Sequence, residues 1–367
     1  MKLFKQKPLT AYEAIYEAQK IAFAPLIFQA ARSLRELGIL AELEKAGKAG
    51  IHAQPIADQL KLSLYGVETL LESGLSSGIV ENGAEEGSYA LSKVGHYLLH
   101  DKMTRINMDY NHAVCYQGMY YLDEAIRTEK PAGLRVFGEQ WETLYQALPH
   151  LPEAVQKSWY AFDHFYSDSA YPQALRLIMD REPKPRSLID IGTNVARFTV
   201  MAAGFERELQ ITLVDLPDQL QNAIANVAAA GFSDRVTPLA IDLLDPANQF
   251  PKGIDIYWLS QFLSCFGHKE IVSILARVAQ AMAENSRCYI LETCWDRQQH
   301  EASSYALVNT SLYFTAMASG NSKMYDSREL LACIDEAGLK CIKITDGLGL
   351  SHSLFECVPK QSCLVLR

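Results

Sequence analysis

The stretch SLIDIGTNVARF (187–198), followed by ITLVDLP (211–217), decides the fold. An apolar run contains Asp190 and leads into Gly192, and a segment with helical character follows. A second apolar run ends in Asp215, 25 positions after Asp190. The order is that of a strand, a tight turn, a helix and a second strand with a carboxylate at its end. It predicts a site for a nucleoside-bearing cofactor, because backbone approaches the ligand at the turn and the carboxylate accepts the ribose hydroxyls.

Composition is that of a globular protein with room for more than one domain. The 367 residues are 49% hydrophobic and 21% charged, which is ordinary for such chains. A formal net charge of −9 argues against a surface dedicated to nucleic acid. No apolar signal segment is visible near the N-terminus, and no apolar run approaches the length of a membrane span. We therefore expect a cytoplasmic protein that binds neither nucleic acid nor membrane.

Cysteine and histidine placement gives no sign of a disulfide framework or a metal site. CxxC pairs are absent from the sequence, so we predict reduced, buried thiols. The histidines are interpreted as unclustered, and we predict no bound metal. The eight cysteines are at positions 115, 265, 288, 294, 333, 341, 357 and 363.

The first hundred residues predict a helical region followed by a small hairpin. Residues 11–46 keep an apolar stripe at helical spacing, interrupted at Gly38. Within residues 51–99, two short helical patterns (55–60 and 64–77) precede two strand-like runs joined by a Gly/Glu-rich turn. The order helix, helix, hairpin is that of a winged helix.

The middle of the chain is mostly helical in pattern and rich in aromatic side chains. We interpret the aromatic concentration within residues 103–180 as the wall of a pocket for a flat organic substrate. Helix packing is the alternative interpretation for any single ring. Pro183 and Pro185 then indicate a domain boundary.

Strands and helices alternate from residue 187 onward. Continuous apolar strands separated by helices predict an α/β fold with a mainly parallel sheet. A helix at 326–338 and a closing antiparallel pair at 340–347 and 353–358 follow the fifth strand. The predicted parallel strands are 187–191, 211–215, 236–242, 254–260 and 288–293.

Ligands of such sheets bind at the carboxyl ends of the strands. We expect the turn that begins at Gly192 to face the amino-acid part of a cofactor and Asp215 to bind the ribose. Asp242 would bind the adenine amino group, and Leu243 would pack on the base. For each acid, a helix cap or a solvated loop end is the alternative. The predicted cofactor-binding residues are Asp190, Gly192, Thr193, Asn194, Asp215, Leu216, Asp242, Leu243, Ser260 and Gln261.

These motifs resemble the class I S-adenosylmethionine (SAM)-dependent O-methyltransferases with an N-terminal winged-helix dimerisation domain. SLIDIGTNVARF is similar to the family's first glycine motif, VDLP to its second, and AIDLLDP (240–246) to its adenine loop. Residues 258–282 are similar to the segment after its fourth strand. The resemblance implies a Rossmann-like domain with a mainly parallel seven-stranded sheet and SAM as the cofactor. It also implies an aromatic small-molecule acceptor and a homodimer formed through the N-terminal domain.

Three regions follow from this resemblance and from the composition shifts. Residues 1–102 are predicted to be the winged-helix-like dimerisation domain. Residues 103–182 are predicted to be an aromatic-rich helical connector that contributes to the substrate pocket. Residues 183–367 are predicted to be the SAM-binding methyltransferase domain.

The chain departs from the family pattern at the turn and at the base. Thr193 and Ala196 stand where glycines are common, and Ser264 stands where plant-type members have a catalytic histidine. A serine hydroxyl does not deprotonate a phenol near neutral pH without activation. Asp163 is one alternative base in the aromatic segment. The predicted catalytic candidates are His164, His268, His352 and Glu292, and the predicted substrate contacts are Tyr116, Trp159, Phe162, Tyr166, Ser264, Asn309 and Tyr313.

Three alternatives to an active O-methyltransferase remain open at this stage. A SAM-binding relative with non-methylating chemistry and a degenerate partner subunit would both explain the altered motifs. A winged-helix, ligand-sensing DNA-binding regulator is the third alternative. Its recognition helix, residues 64–77, contains neither Lys nor Arg, which makes it a poor reader of phosphate backbone.

Overall fold

The computed structural model describes residues 3–360, which form two compact units. One unit is residues 4–112, and the other contains residues 113–360. Cys363 lies outside the described residues. The limits of the three predicted regions remain predictions.

The N-terminal unit begins with a long helix, α1 (Ala11–Glu36). Its first turn is closed by a capping box, in which Thr10 accepts from the Glu13 N–H and the Glu13 carboxylate accepts from the Thr10 N–H. The helix ends before Gly38, whose φ of 84° suits a residue without a Cβ atom. The elements that follow are α2 (Ile39–Ala46), α3 (Ala53–Leu60), α4 (Leu64–Ser76), β1 (Val80–Asn82), β2 (Tyr89–Leu91), α5 (Lys93–His100) and α6 (Lys102–Tyr110).

The order α3, α4 and the β1–β2 hairpin is the order predicted from the sequence. The two strands pair antiparallel, with Val80 opposite Leu91. Buried side chains of α1 to α4 form one core that includes Leu34, Leu40, Ile56 and Leu71. The name winged helix remains a prediction for this unit.

One face of α1 carries large apolar side chains that are exposed. They recur at roughly helical spacing, so they form a stripe along the helix. The exposed apolar residues of this α1 surface are Tyr12, Ile15, Tyr16, Phe23 and Leu26.

The second unit opens with helices and short turns. The π-helical and 3₁₀ turns around residues 111–121 lead into α7 (Leu122–Thr128) and α8 (Leu144–Ala147). The long helix α9 (Glu153–Met179) then carries three of the predicted substrate contacts, Trp159, Phe162 and Tyr166. Its C-terminal part packs on the sheet through buried Ala170, Ala174 and Ile178.

Seven strands form the predicted sheet, in the order β5-β4-β3-β6-β7-β9-β8. The first five pair in parallel, and β9 is antiparallel to both of its neighbours. The α/β fold with a mainly parallel seven-stranded sheet is thereby confirmed. The strands are β3 (Ser187–Ile191), β4 (Gln210–Asp215), β5 (Val236–Ala240), β6 (Ile256–Ser260), β7 (Arg287–Glu292), β8 (Leu339–Leu348) and β9 (His352–Pro359).

Helices cover both faces of this sheet. Ile189 and Ile191 of β3 belong to the core on one face, and Leu188 belongs to the core on the other. On that second face, the Phe198 and Trp258 rings stack with centroids 4.0 Å apart. The remaining helices are α10 (Arg197–Phe205), α11 (Pro217–Ala229), α12 (His268–Ala281), α13 (Glu301–Tyr313) and α14 (Ser327–Glu336).

Within residues 3–360, no helix combines the length and the apolar character needed to cross a bilayer.

Candidate active site

The turn after β3 contains three residues with left-handed backbone. Gly192, Asn194 and Ala196 have φ values of 77°, 53° and 61°. A Cβ atom on Gly192 would come within 2.2 Å of the Phe262 ring, so only glycine fits there. At Ala196 the left-handed conformation costs roughly 1–2 kcal/mol. Glycine would remove that cost, which is a physical reason why glycine is common at this position in the family that the motifs resemble.

Asp190 supports the turn from inside the protein. Its carboxylate is 3% exposed and accepts hydrogen bonds from the Thr193 hydroxyl at 3.1 Å and the Thr199 hydroxyl at 2.6 Å. Burial raises the pKa of Asp190 to about 6, against the lowering effect of the two hydroxyls. The Asp190 and Thr193 side chains therefore bond to each other, and their contacts with a cofactor stay predictions.

Asp215 ends β4 and faces the same turn. One carboxylate oxygen accepts from the Asn194 N–H at 2.9 Å, and the other accepts from the Leu216 N–H at 2.8 Å. Burial raises its pKa to about 6. Each oxygen still has accepting capacity, and the residue is partly exposed. These properties fit a carboxylate that binds the two hydroxyls of a ribose.

The loop after β5 carries the two residues predicted to bind adenine. Asp242 is exposed, and its side chain accepts from the Leu244 N–H at 2.9 Å. Leu243 is 6% exposed, and its carbonyl accepts from the Arg277 guanidinium. The loop is thus fixed in place, and the adenine contacts remain a prediction.

The strand order reverses between β3 and β6, and Asp163 of α9 lies over this point. Its carboxylate accepts from Asn194 Nδ2 at 3.2 Å and from Gln261 Nε2 at 3.3 Å. Asn194 follows β3, and Gln261 follows β6. Burial, and secondarily the charge of Asp168, raise the pKa of Asp163 to about 7. An α/β sheet binds its ligands at this kind of switch point.

His352 is adjacent to this group and bonds to Gln261. Its Nε2 donates to Gln261 Oε1, which turns the amide nitrogen of Gln261 toward Asp163. The ring is fully buried, and burial lowers the pKa of His352 to about 3. This position suits a neutral residue that orients Gln261, and the predicted catalytic role of His352 stays a prediction.

The other two predicted histidines lie in different surroundings. Burial, with a smaller effect of Arg197, lowers the pKa of His164 to about 4. His268 is exposed at the start of α12, with Nε2 2.9 Å from the Glu336 carboxylate and Nδ1 3.2 Å from Cys333 Sγ. The ring of His268 is therefore held against α14 at the surface, and its catalytic role stays a prediction.

Glu292 holds the turn after β6, and its predicted catalytic role stays a prediction. The carboxylate is 5% exposed and accepts from the Phe262 and Leu263 N–H groups at 2.8 and 2.7 Å. Burial raises its pKa to about 7. Glu292 and Ser264 line a cavity of about 10 Å³, roughly the space of one water molecule. Ser264 therefore faces this internal cavity, which has no room for an aromatic ring.

We expect Glu292→Gln to change how stability depends on pH. The wild-type carboxyl favours the folded state most when protonated, so its contribution is present below pH 4.5 and is lost as pH rises through about 7. The difference between these two pKa values corresponds to roughly 3 kcal/mol. Glutamine keeps an acceptor for both N–H groups without the charge. Denaturant unfolding at pH 5 and pH 8 should show a smaller decrease for E292Q than for the wild type, and equal decreases would contradict this account.

The predicted substrate contacts fall into two groups. Trp159 Nε1 donates to the Tyr313 hydroxyl at 2.9 Å, which joins α9 to α13, and the Phe162 and Tyr166 rings lie 5.1 Å apart. By contrast, Asn309 is exposed and donates to the Tyr305 carbonyl of its own helix. Its predicted contact with substrate receives no support from this position. Tyr116, at 36% exposure, stays a predicted contact.

Two features were not predicted from the sequence. Asp163 was one of the possible bases, but its position between Asn194 and Gln261 was not predicted. The HYLLH segment, in which His96 and His100 have the HxxxH spacing, was not recognised as a cluster. This spacing was visible in the sequence and contradicts the interpretation that the histidines are unclustered.

Three features of this edge of the sheet define a class of protein. They are the strained turn after β3, the Asp215 carboxylate after β4 and the Asp163 carboxylate at the switch point. They describe an α/β enzyme that binds a nucleoside cofactor at the carboxyl edge of its sheet.

Two family descriptions match the chain, and together they cover more than half of it. A dimerisation2-like domain matches residues 16–87, and an O-methyltransferase domain matches residues 175–340. The chain belongs to the SAM-dependent O-methyltransferases that carry an N-terminal dimerisation domain. It is a SAM-dependent methyltransferase.

Individual relatives agree with this assignment over most of the chain. The L-tyrosine C(3)-methyltransferase of Streptomyces lavendulae is 24% identical over 87% of this chain and 85% of that protein. The 3-amino-4-hydroxybenzoate 4-O-methyltransferase of Streptomyces cremeus is 23% identical over 74% of this chain and 71% of that protein.

Solved structures show the same fold. The apo form of the SAM-dependent methyltransferase SibL has a TM-score of 0.68 and 21% identity, and the match covers 93% of this chain and 98% of that chain. An O-methyltransferase from neocarzinostatin biosynthesis, in complex with SAM and 2-hydroxy-5-methyl naphthoic acid, has a TM-score of 0.65 and 19% identity. That match covers 92% of this chain and 96% of the other.

Proposed function

We propose that this enzyme transfers a methyl group from SAM to a hydroxyl of an aromatic or polyketide-like small molecule. The observation that carries the proposal is Asp163, a carboxylate with a pKa near 7 at the switch point of the sheet. A general base with a pKa near the working pH is effective in removing a proton during the reaction. None of the other candidate bases combines this pKa with this position.

Asp215 is the residue we propose to bind the ribose hydroxyls, and the turn at Gly192 to Ala196 brings backbone close to the rest of the cofactor. SAM, when bound, supplies an electrophilic methyl group on a sulfonium. Asp163 would accept the proton of the acceptor hydroxyl as its oxygen becomes nucleophilic. Asn194 and Gln261 orient the Asp163 carboxylate, and His352 orients Gln261. Much of the rate would come from the alignment of acceptor, methyl and sulfur.

The names of relatives support an aromatic acceptor. One relative is a 3-amino-4-hydroxybenzoate 4-O-methyltransferase, and a solved neighbour was crystallised with a hydroxylated naphthoic acid. Trp159 and Tyr313, which are hydrogen-bonded to each other, and Phe162 and Tyr166 provide apolar surface of the kind that such acceptors need. Neither family match supports the alternative of a DNA-binding regulator.

A ring carbon is the second candidate acceptor. The relative from Streptomyces lavendulae is named as a C(3)-methyltransferase of L-tyrosine, and Ser264 replaces the histidine of plant-type O-methyltransferases. A base that removes the phenolic proton also activates the ring carbon beside the phenolate. Product analysis by carbon NMR separates the two, because an O-methyl and an aryl methyl carbon differ strongly in chemical shift.

The proposal is tested in two measurements on the purified protein. Calorimetric titration with SAM and with S-adenosylhomocysteine should show saturable binding of both. Transfer of labelled methyl from SAM to a panel of phenols should then give a methylated product. Cofactor binding without any methylated phenol would favour non-methylating chemistry or a partner subunit, and no binding of either compound would overturn the proposed cofactor site.

We infer that two copies of the chain associate through the N-terminal unit. The match to a dimerisation domain and the exposed α1 surface support a second copy as the occupant of that surface. The free cysteines among the described residues suit a reducing compartment, and a cytoplasmic location remains our prediction.

A charge on the α1 surface is expected to separate the dimer. Phe23→Asp places a carboxylate in the apolar stripe, so the dimer should dissociate at least about tenfold more readily. Tyr65→Asp is the matched control, because Tyr65 is an exposed aromatic residue of α4 in the same unit. Light scattering after size exclusion measures both variants. Equal effects of the two substitutions, or a monomeric wild type, would contradict this assignment.

A further inference from the structure

Three potential metal ligands converge on the surface of the N-terminal unit. His96 and His100 are four residues apart on α5, so they lie on the same face of the helix. Glu44 of α2 lies opposite this face. One ligand atom from each residue lies within 4.8 Å of the other two. The proposed enzymatic function uses none of these residues.

The two imidazoles are directed toward one carboxylate oxygen. His100 Nε2 is 2.6 Å and His96 Nδ1 is 3.4 Å from Glu44 Oε1. The ring centroids of the two histidines are 4.7 Å apart. Zinc binds nitrogen and oxygen ligands at about 2.0–2.2 Å, so two ligands in a tetrahedral site are roughly 3.4 Å apart. The His96–Glu44 separation already has this value, and the His100–Glu44 hydrogen bond needs to lengthen by less than about 1 Å.

An open cavity of about 260 Å³ adjoins the cluster. Glu44 and His96 line it, together with Ser92, Lys48 and Lys93. The cavity leaves space for a further ligand on the solvent side. The two lysines disfavour a bare cation there but favour a small anion or a hydroxide as the additional ligand of a bound metal.

We propose that Glu44, His96 and His100 bind a divalent transition-metal ion, with zinc as the representative ion. Two imidazoles and one carboxylate are a known ligand set for zinc, and two histidines at i and i+4 on a helix supply it in other proteins. The fourth position is open to water or a small anion. The metal would join α5 to α2, so the site would stabilise the N-terminal unit from its surface. This proposal replaces the expectation from the sequence that the chain binds no metal.

Metal titration of the full chain, prepared without an affinity tag and freed of metal with a chelator, tests the proposal. Zinc chloride should bind with a stoichiometry near one per chain. His96→Ala and His100→Ala should each weaken zinc binding at least about tenfold. Substitution of a residue that only hydrogen-bonds to a metal ligand already weakens binding by about that factor, so loss of a ligand itself should cost no less. His52→Ala is the matched control, because His52 is also exposed and lies 3.8 Å from the Glu85 carboxylate in the same unit. It should leave the affinity unchanged.

Cobalt provides a readout that depends on ligand geometry. Cobalt(II) added to the metal-free chain should give the strong visible absorption of a tetrahedral site, and the band should disappear in His100→Ala. Circular dichroism of each variant shows whether the fold is retained, and Glu44→Gln tests the carboxylate without shortening its side chain. Absence of zinc binding to the wild type would overturn the proposal. Unchanged affinity in the His96→Ala, His100→Ala double variant, or an equal loss in His52→Ala, would do the same.

Discussion

Asp215→Asn is expected to weaken SAM binding by about a hundredfold. Hydrogen bonds to a charged group contribute roughly 1.5–3 kcal/mol each, and the ribose would offer two hydroxyls to this carboxylate. Asparagine also replaces one accepting oxygen with an N–H₂ group. This donor would face the N–H of Asn194 or of Leu216, so one of the two backbone hydrogen bonds would be lost. Calorimetric titration with SAM and S-adenosylhomocysteine measures the loss.

The control for this variant lies three residues further along the chain. Asp218 is an exposed aspartate in the first turn of α11, and Asp218→Asn should leave the affinity within about twofold. Thermal unfolding of both variants without cofactor separates a binding defect from a folding defect. An affinity of Asp215→Asn close to that of the wild type would place the ribose elsewhere on the sheet edge.

Asp163→Asn is expected to lower kcat by about 10²–10⁴-fold, the usual contribution of a general base. SAM affinity should change far less, because asparagine retains much of the shape and an acceptor oxygen. The wild-type kcat should rise with pH through about 7, since the raised pKa of Asp163 leaves the carboxyl protonated below that value. The variant has no carboxyl to titrate, so its residual rate should lack this step.

Asp180→Asn provides the comparison, because Asp180 is an exposed aspartate just beyond the same helix. It should keep the wild-type rate and pH profile. A pH step near 7 that persists in Asp163→Asn would show that another group accepts the proton. His164→Gln is then the next variant, and a loss of activity there without a loss in Asp163→Asn would overturn the assignment of the base.

Local sequence patterns were sufficient to predict the sheet. Strand β3 begins and ends at the predicted residues, because an apolar run is followed directly by a glycine turn. Asp215 was placed at the end of its strand for the same reason. Strand β5 ends at Ala240, two residues before the predicted limit, because the chain turns at Asp242 into a loop whose backbone bonds to the Asp242 side chain.

The groups formed by distant parts of the chain were harder to predict. Asp163 meets Gln261, 98 positions away, only because α9 packs over the edge of the sheet. His268 follows β6 closely, but helix α12 begins at this residue, and its ring lies against Glu336 of α14. Glu44 lies 52 positions before His96, so the sequence showed two members of that cluster but not the third.

Cofactor binding and acceptor binding are assigned to different parts of the chain, and the long helix α9 serves the second. The residues proposed to hold the cofactor come from loops that follow β3, β4 and β5, whereas Asp163, Trp159, Phe162 and Tyr166 come from a helix that precedes the sheet. Substitutions on α9 can therefore change which acceptor is methylated while the loops remain as they are. Such a division would let the same cofactor-binding loops serve a different acceptor after changes in a single helix.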